Sequence, residues 1–244
     1  MTADLPYIAI RNERSATAKG APVLLIHGVM SSAESDFPRD RWADALLAQG
    51  RDVIHLDLPG HGSSRRVGSV DEGRTGAIVA AIARALGTTP VDVVAYSLGA
   101  RIAWAFAARH PELVNRLVLG GLAPMEPFAL LDFPAARKFV DDGTRPADAM
   151  TGFLAGMFAS RGDGHSMLNL AEGLAAEPFV PGAEAPSAPT LLMAGADDQM
   201  AGGIAALEAH LKGARTVRVP GDHMAALASD AFRQNAFSFL GLTA

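Results

Sequence analysis

Apolar positions come in short uninterrupted runs that alternate with stripes of helical spacing. Pro22-Val23-Leu24-Leu25-Ile26 is apolar at every position, which predicts a central strand of a parallel sheet covered on both faces rather than a half-exposed hairpin. Further strands are predicted at residues 52–56, 91–95, 114–120, 190–194 and 215–219, with a short edge strand within 5–11. Between them, apolar residues recur every three to four positions. The pattern predicts helices over 40–48 with Trp42, Ala45 and Leu46 inward, over 70–86 with Ile78, Val79, Ile82 and Leu86 inward, and over 98–109 with Ile102, Ala103, Phe106 and Ala107 inward. Two more are predicted over 204–211 and 225–240, and residues 31–39 read as a polar loop.

Strict alternation of strand and helix requires an α/β fold, a mostly parallel sheet with right-handed crossovers and helices on both faces. The rhythm fails between about Leu122 and Pro189, where Pro124, Pro127, Pro134, Pro146, Pro178, Pro181 and Pro186 interrupt short apolar segments. We read residues 1–121 and 190–244 as the core and 122–189 as a helical cap inserted after the strand ending near Gly120. No internal repeat or heptad pattern is present.

Composition narrows the function without naming it. At 49% hydrophobic, 19% charged and a net charge of -5, the chain is an ordinary globular one with no basic face for nucleic acid, and no such partner is expected. The absence of cysteine removes disulfides, thiolate metal sites and thiol nucleophiles. No basic segment followed by an apolar run opens the chain, and no uncharged run reaches membrane-spanning length. A cytoplasmic protein with a small-molecule substrate and no membrane partner is the expectation; the oligomeric state is left open.

The candidate chemistry centres on Ala95-Tyr96-Ser97-Leu98-Gly99. A strand ends at a serine between small residues and a helix begins at once, as a tight strand-turn-helix demands. A serine N-cap would look similar at this level. Serine is a poor nucleophile alone and needs a base, itself oriented by a third group. Val219-Pro220-Gly221-Asp222-His223 places an imidazole after the last strand, and Gly195-Ala196-Asp197-Asp198 places carboxylates after the strand before it. In a parallel sheet such loops gather at the carboxyl ends of the strands. Asp197 and Asp198 both remain candidates for the acid, with Glu126 and Asp132 as more distant ones. His27, His55, His61, His110, His165 and His210 do not follow the last strand.

In these motifs the chain resembles the α/β-hydrolases. His27-Gly28 is similar to that family's oxyanion loop, Asp57-Leu58-Pro59-Gly60-His61-Gly62 to its strand-end loop, Ala95 to Gly99 to its nucleophile elbow, and Gly195-x-x-Asp198 and His223 to its acid and base. Alanine stands at 95 where glycine is usual. The resemblance implies the α/β-hydrolase fold and a triad of Ser97, His223 and Asp198, in the family's chain order. It implies an oxyanion hole made by the backbone N–H groups of Val29 and Leu98, and no metal or organic cofactor. The expected function is ester hydrolysis through an acyl-enzyme. The elbow with Arg101 is also similar to that of the menaquinone-pathway SHCHC synthases, where an arginine at this place holds substrate carboxylates. That keeps carbon–carbon chemistry open, with Arg137, Arg145 and Arg161 as further cap cations. A non-catalytic binding protein on the same scaffold is the third option. Arg101, Met30 and Met125 are candidate substrate contacts. Met125, Phe128, Met150, Phe153, Met157, Phe158 and Met167 either line an apolar pocket or fasten the cap.

Overall fold

A computed structural model describes residues 5–160 and 163–243. Among them, seven strands, β1 (Ala9–Glu13), β2 (Val23–Ile26), β3 (Val53–Asp57), β4 (Val91–Tyr96), β5 (Val114–Gly120), β6 (Thr190–Gly195) and β7 (Arg215–Val219), form one sheet in the order β1-β3-β2-β4-β5-β6-β7. Only β1 runs antiparallel, against β3; every other neighbouring pair is parallel. The helices are α1 (Ala33–Asp36), α2 (Ala43–Ala48), α3 (Thr75–Leu86), α4 (Leu98–Arg109), α5 (Phe133–Asp142), α6 (Ala149–Ser160), α7 (Gly164–Ala176), α8 (His223–Ala228) and α9 (Asp230–Phe239). Residues 1–4, whose composition entered the signal-sequence reading, and Arg161 lie outside the described residues.

The all-apolar runs are explained by two cores, one on each face. In β2, Leu24 and Ile26 pack with Ile78 and Ile82 of α3 and Ile102 and Phe106 of α4. Val23 and Leu25 point the other way, toward Phe37, Trp42 and Leu46, and Phe232 and Phe237 of α9. All four β2 side chains are fully buried, each contributing roughly 1.5–3 kcal/mol by removal from water. The sheet is covered on both faces, as its sequence pattern requires.

The differences lie where local events override periodicity. The stretch predicted as one helix over 70–86 is a 3-10 turn, Asp71–Gly73, then an extended residue, Arg74 (ψ 143°), then α3. α7 presses on this break, for a Cβ on Gly73 would lie 2.3 Å from the Asn169 carbonyl oxygen. The closing helix predicted over 225–240 is two, α8 and α9. Ser229 is extended between them and accepts from the Phe232 N–H, which caps α9. The helix predicted over 204–211 is a 3-10 helix, Ile204–His210. The loop read over 31–39 holds α1, capped by Ser32, a turn too short to leave a periodic stripe. Between β5 and β6 the chain leaves the sheet through a 3-10 turn at Pro127–Leu130 and then α5, α6 and α7.

Candidate active site

The strand-turn-helix at β4 and α4 is as tight as its sequence requires. Ser97 has φ +52° and ψ −116°, left-handed backbone that an L-residue holds only under constraint. The constraint is visible on both sides. The Ser97 N–H donates to the Gly120 carbonyl (2.8 Å), and Arg101 N–H donates back to Ser97 carbonyl (3.1 Å). Gly99 lets α4 lie against β2, since a Cβ there would sit 2.4 Å from the Ile26 oxygen and 2.5 Å from that of His27. Ala95, by contrast, is accommodated. Its methyl belongs to the core under α4, in register with Ile26 and Leu119. The steric demand of the turn falls on position 99.

Three loops at the strand ends meet there. His223 Nε2 is 3.0 Å from Ser97 Oγ, and His223 Nδ1 is 2.8 Å from Asp198 Oδ2. A carboxylate can only accept, so Nδ1 carries the proton and Nε2 presents a lone pair to the serine hydroxyl. The Asp198 side chain is fully buried and that of His223 17% exposed. Asp198 Oδ1 accepts from the N–H groups of Met200 and Ala201, both at 3.0 Å, so the carboxylate is fixed at both oxygens. The approach of these loops depends on Gly195, where a Cβ would lie 2.2 Å from the Gly221 carbonyl oxygen.

The other carboxylates considered stand apart from His223. Asp197 is exposed. Glu126 pairs with Arg101 and accepts from Phe128 and Phe179 N–H groups, and Asp132 caps α5 by accepting from Ala135. The other histidines also have separate settings. His55 is buried 3.0 Å from Glu13, His110 lies 3.4 Å from Glu112 and His165 2.9 Å from Asp141, and His210 is exposed.

His27 and His61 build the loop beside the serine. Leu58 N–H donates to His27 Nε2 (3.0 Å), so the ring's Nδ1–H donates to the Gly28 carbonyl (2.6 Å). Met30 N–H donates to His61 Nε2 (2.9 Å), and the His61 Nδ1–H donates to the Pro59 carbonyl (3.0 Å). Both rings act here as neutral donor–acceptor struts. Burial lowers the pKa of His27 against the opposing pull of Gly28 carbonyl and Asp57, and burial with the neighbouring His27 lowers that of His61 to about 4. Asp36 was not singled out by the sequence, yet it accepts from the Gly28 N–H (2.7 Å) and from the Ser31 hydroxyl. Between these ties, the N–H groups of Val29 and Leu98 have no acceptor among the described residues, and a Cβ on Gly28 would come within 3.3 Å of Ser97 Cβ.

Two candidate contacts are placed differently from one another. Met30, at φ +60°, lines a cavity of about 190 Å³ with Ser31, Gly60, His61, Gly62, Asp163 and Met167. Met125 lies beyond β5 and is half-exposed. Arg101 corrects the expectation made of it. It is 5% exposed, and its guanidinium donates to Glu126, to Thr75 Oγ1 (2.7 Å) and to the carbonyls of Leu174 (3.1 Å) and Glu177 (2.7 Å). Four of its donors are thus spent inside the protein, and it is neither a surface ion pair nor a cation free for a substrate. Arg137 is likewise engaged with Asn169 and Glu172, and Arg145 is exposed. Of the apolar candidates, Phe128, Phe158 and Met167 are buried in the core, and Met150 and Phe153 are exposed. No group of three or more His, Asp or Glu side chains among the described residues is placed to hold a metal ion. No described helix is long and apolar enough to cross a membrane.

A parallel sheet whose strand ends gather a constrained serine, an imidazole and a buried carboxylate defines a class of α/β protein with the geometry of nucleophilic catalysis. Residues 21–158 match the profile of the alpha/beta hydrolase fold, and the chain belongs to that family. It is similar to the 2-hydroxymuconate semialdehyde hydrolase of Pseudomonas putida, 39% identical over 106 residues, which are 42% of this chain and 37% of that protein. It is also similar to the (E)-2-((N-methylformamido)methylene)succinate hydrolase of Acinetobacter baylyi, 31% identical over 122 residues, 47% of this chain and 44% of that one. The chain thus spans less than half the length of these curated relatives. Among solved structures, a hydrolase from Pseudomonas aeruginosa superposes with a TM-score of 0.70 at 20% identity, covering 96% of this chain and 94% of that one, a likeness of fold.

Proposed function

We propose that this chain hydrolyses a carboxylic ester of a small molecule, with Ser97 as nucleophile, His223 as general base and then acid, and Asp198 as the carboxylate that orients it. The observation that carries the reading is the unbroken row Ser97 Oγ to His223 Nε2 (3.0 Å) and His223 Nδ1 to Asp198 (2.8 Å). In the first step His223 Nε2 takes the hydroxyl proton as Ser97 Oγ bonds to the ester carbonyl carbon. The carbonyl oxygen becomes an oxyanion and is received by the N–H groups of Val29 and Leu98. Each such donor is worth about 10² to 10³ in turnover. Collapse expels the alcohol, which takes the proton from His223, and leaves an acyl-enzyme. Water, deprotonated by the same imidazole, then adds to the acyl carbon, and the acid leaves as the bond to Ser97 Oγ breaks and that oxygen takes the proton back from His223. Residues 122–189 form the cap that covers this site, and Met30 lines the part of it beside the oxyanion loop.

A second reading is favoured by the relatives, whose names state hydrolysis of a semialdehyde and of a methylenesuccinate. In that reading the same three residues hydrolyse a carbon–carbon bond in place of an ester. The SHCHC synthase-like option loses its support with the burial of Arg101, and the intact row speaks against a purely binding role. The test is a panel of p-nitrophenyl esters of rising chain length, run beside 2-hydroxymuconate semialdehyde. We expect ester turnover that disappears in Ser97→Ala. Undiminished turnover in that variant contradicts the proposal, and turnover of the semialdehyde alone moves it to the second reading.

A further inference from the structure

His223 opens α8, a helix of six residues entered through Gly221 at φ +104°. Its contacts with Ser97 and Asp198 hold two ring atoms. They do not hold the main chain from which the ring projects. That main chain has a partner of its own. The phenol of Tyr96 donates a hydrogen bond to the carbonyl oxygen of His223, and the two rings lie 5.3 Å apart at 49°.

The Tyr96 ring has one seat. It is 2% exposed and meets Phe232 edge-on, with centroids 5.5 Å apart and the planes at 73°. Beneath it the end of β5 carries no side chains. A Cβ on Gly120 would lie 2.6 Å from Tyr96 Cδ2, and one on Gly121 would lie 2.8 Å from Tyr96 Cζ and 3.0 Å from His223 Cε1. Both rings therefore rest on bare backbone. Gly120 also accepts from the Ser97 N–H (2.8 Å), so the same glycine pair supports the serine's backbone and the histidine's ring. Burial, with the carboxylates of Asp198, Asp36 and Asp222 adding to it, raises the phenol's pKa well above its ordinary value; it stays a neutral donor throughout the working range.

A buried tyrosine hydroxyl needs an acceptor, and any carbonyl would satisfy it. Here the acceptor belongs to the base, and the donor is the residue next to the nucleophile. We propose that Tyr96 is a positioning residue: its hydroxyl fixes the main chain of His223 so that the imidazole presents Nε2 to Ser97. This rests on the reading of Ser97 and His223 as nucleophile and base. Elbow and base then move as one body. Without the hydroxyl the ring still packs, but the imidazole spends less time aligned.

The test is Tyr96→Phe in the full chain, which keeps the ring and removes the donor. With a short p-nitrophenyl ester we expect kcat to fall about 3- to 10-fold, in keeping with the net worth of one hydrogen bond, with KM within twofold. The rate of Ser97 labelling by a fluorophosphonate, which needs no ester pocket, should fall by the same factor. Phe237→Leu, in the same core but set edge-on to Trp42, is the packing control: it should lower Tm while leaving kcat within twofold. If Tyr96→Phe loses Tm as that control does and keeps its kcat and labelling rate, or if Phe237→Leu lowers kcat and labelling rate by the about 3- to 10-fold expected of Tyr96→Phe, the hydroxyl is only structural and the proposal is overturned. A wild-type chain that is neither labelled nor active overturns the triad reading itself and this role with it. A labelled wild type matched by Tyr96→Phe overturns the role of Tyr96 alone.

Discussion

The rim where β4, β6 and β7 end and the segment between β5 and β6 are held together by different means. At the rim the constraints are in the backbone: Ser97 at φ +52°, Gly99 against the oxygens of Ile26 and His27, and Gly195 against Gly221. In the inserted segment α7 also lies on bare backbone at Gly73, but side chains whose partners stand far along the sequence are added to that approach. Arg101 ties α4 to Glu126 and to the carbonyls of Leu174 and Glu177. Ser166 accepts from the Val67 N–H, and Asn169 donates to its carbonyl. Backbone constraints leave small residues at fixed spacing, which a sequence displays. Side-chain clamps leave only isolated polar residues.

Ser97 and Arg101 sharpen that contrast because they stand about one turn apart, Ser97 just before α4 and half-buried, Arg101 within it and buried. The largest effect should come at the rim. Asp198→Asn keeps the Oδ1 acceptor for Met200 and Ala201 and loses the charge facing His223. By the behaviour of such triads, kcat should fall about 10³- to 10⁴-fold, while Asp197→Asn stays within about twofold in the same ester assay. Equal activity in both variants would remove Asp198 from the mechanism.

A smaller effect, of another kind, is expected at the clamp. Arg101→Met leaves Glu126, 4% exposed, without its cation. Breaking a buried pair from one side costs about 3–5 kcal/mol, so denaturant unfolding should show that loss, and Arg101→Met with Glu126→Leu should recover part of it. Below the transition, kcat/KM for esters should stay within a few-fold of wild type. A large loss of kcat/KM with stability intact would return Arg101 to the substrate and erase the contrast.

Legibility followed the same division. The sheet, α4 and the placement of Ser97, Asp198 and His223 at the strand ends could be read because each is set locally, by an apolar run, a glycine two residues past the serine, or a loop after a strand. The resemblance prefers Asp198 to Asp197 by its spacing from Gly195, and of the two Asp198 is the buried one. What escaped depended on distant partners. Asp36 gives no sign in sequence that its carboxylate will accept from Gly28, and Tyr96 fills an unconstrained position of the elbow while its acceptor lies 127 residues away. The carbonyls that absorb Arg101 come from α7 and the residue just past it, which no periodicity brings to α4. Its chemistry was legible; its surroundings were not. The break at Arg74 and the division of the last helix at Ser229 had the same cause, packing and capping that interrupt an otherwise continuous stripe.

In the proposed reaction the row behind Ser97 activates its hydroxyl to form a covalent bond to substrate. Treating the full chain with a fluorophosphonate and mapping the adduct by peptide mass spectrometry reads that activation at the serine itself. The expected result is one adduct on Ser97, absent in Ser97→Ala and formed far more slowly in Asp198→Asn. An adduct on another serine with Ser97 unmodified, or no adduct at all, would contradict it.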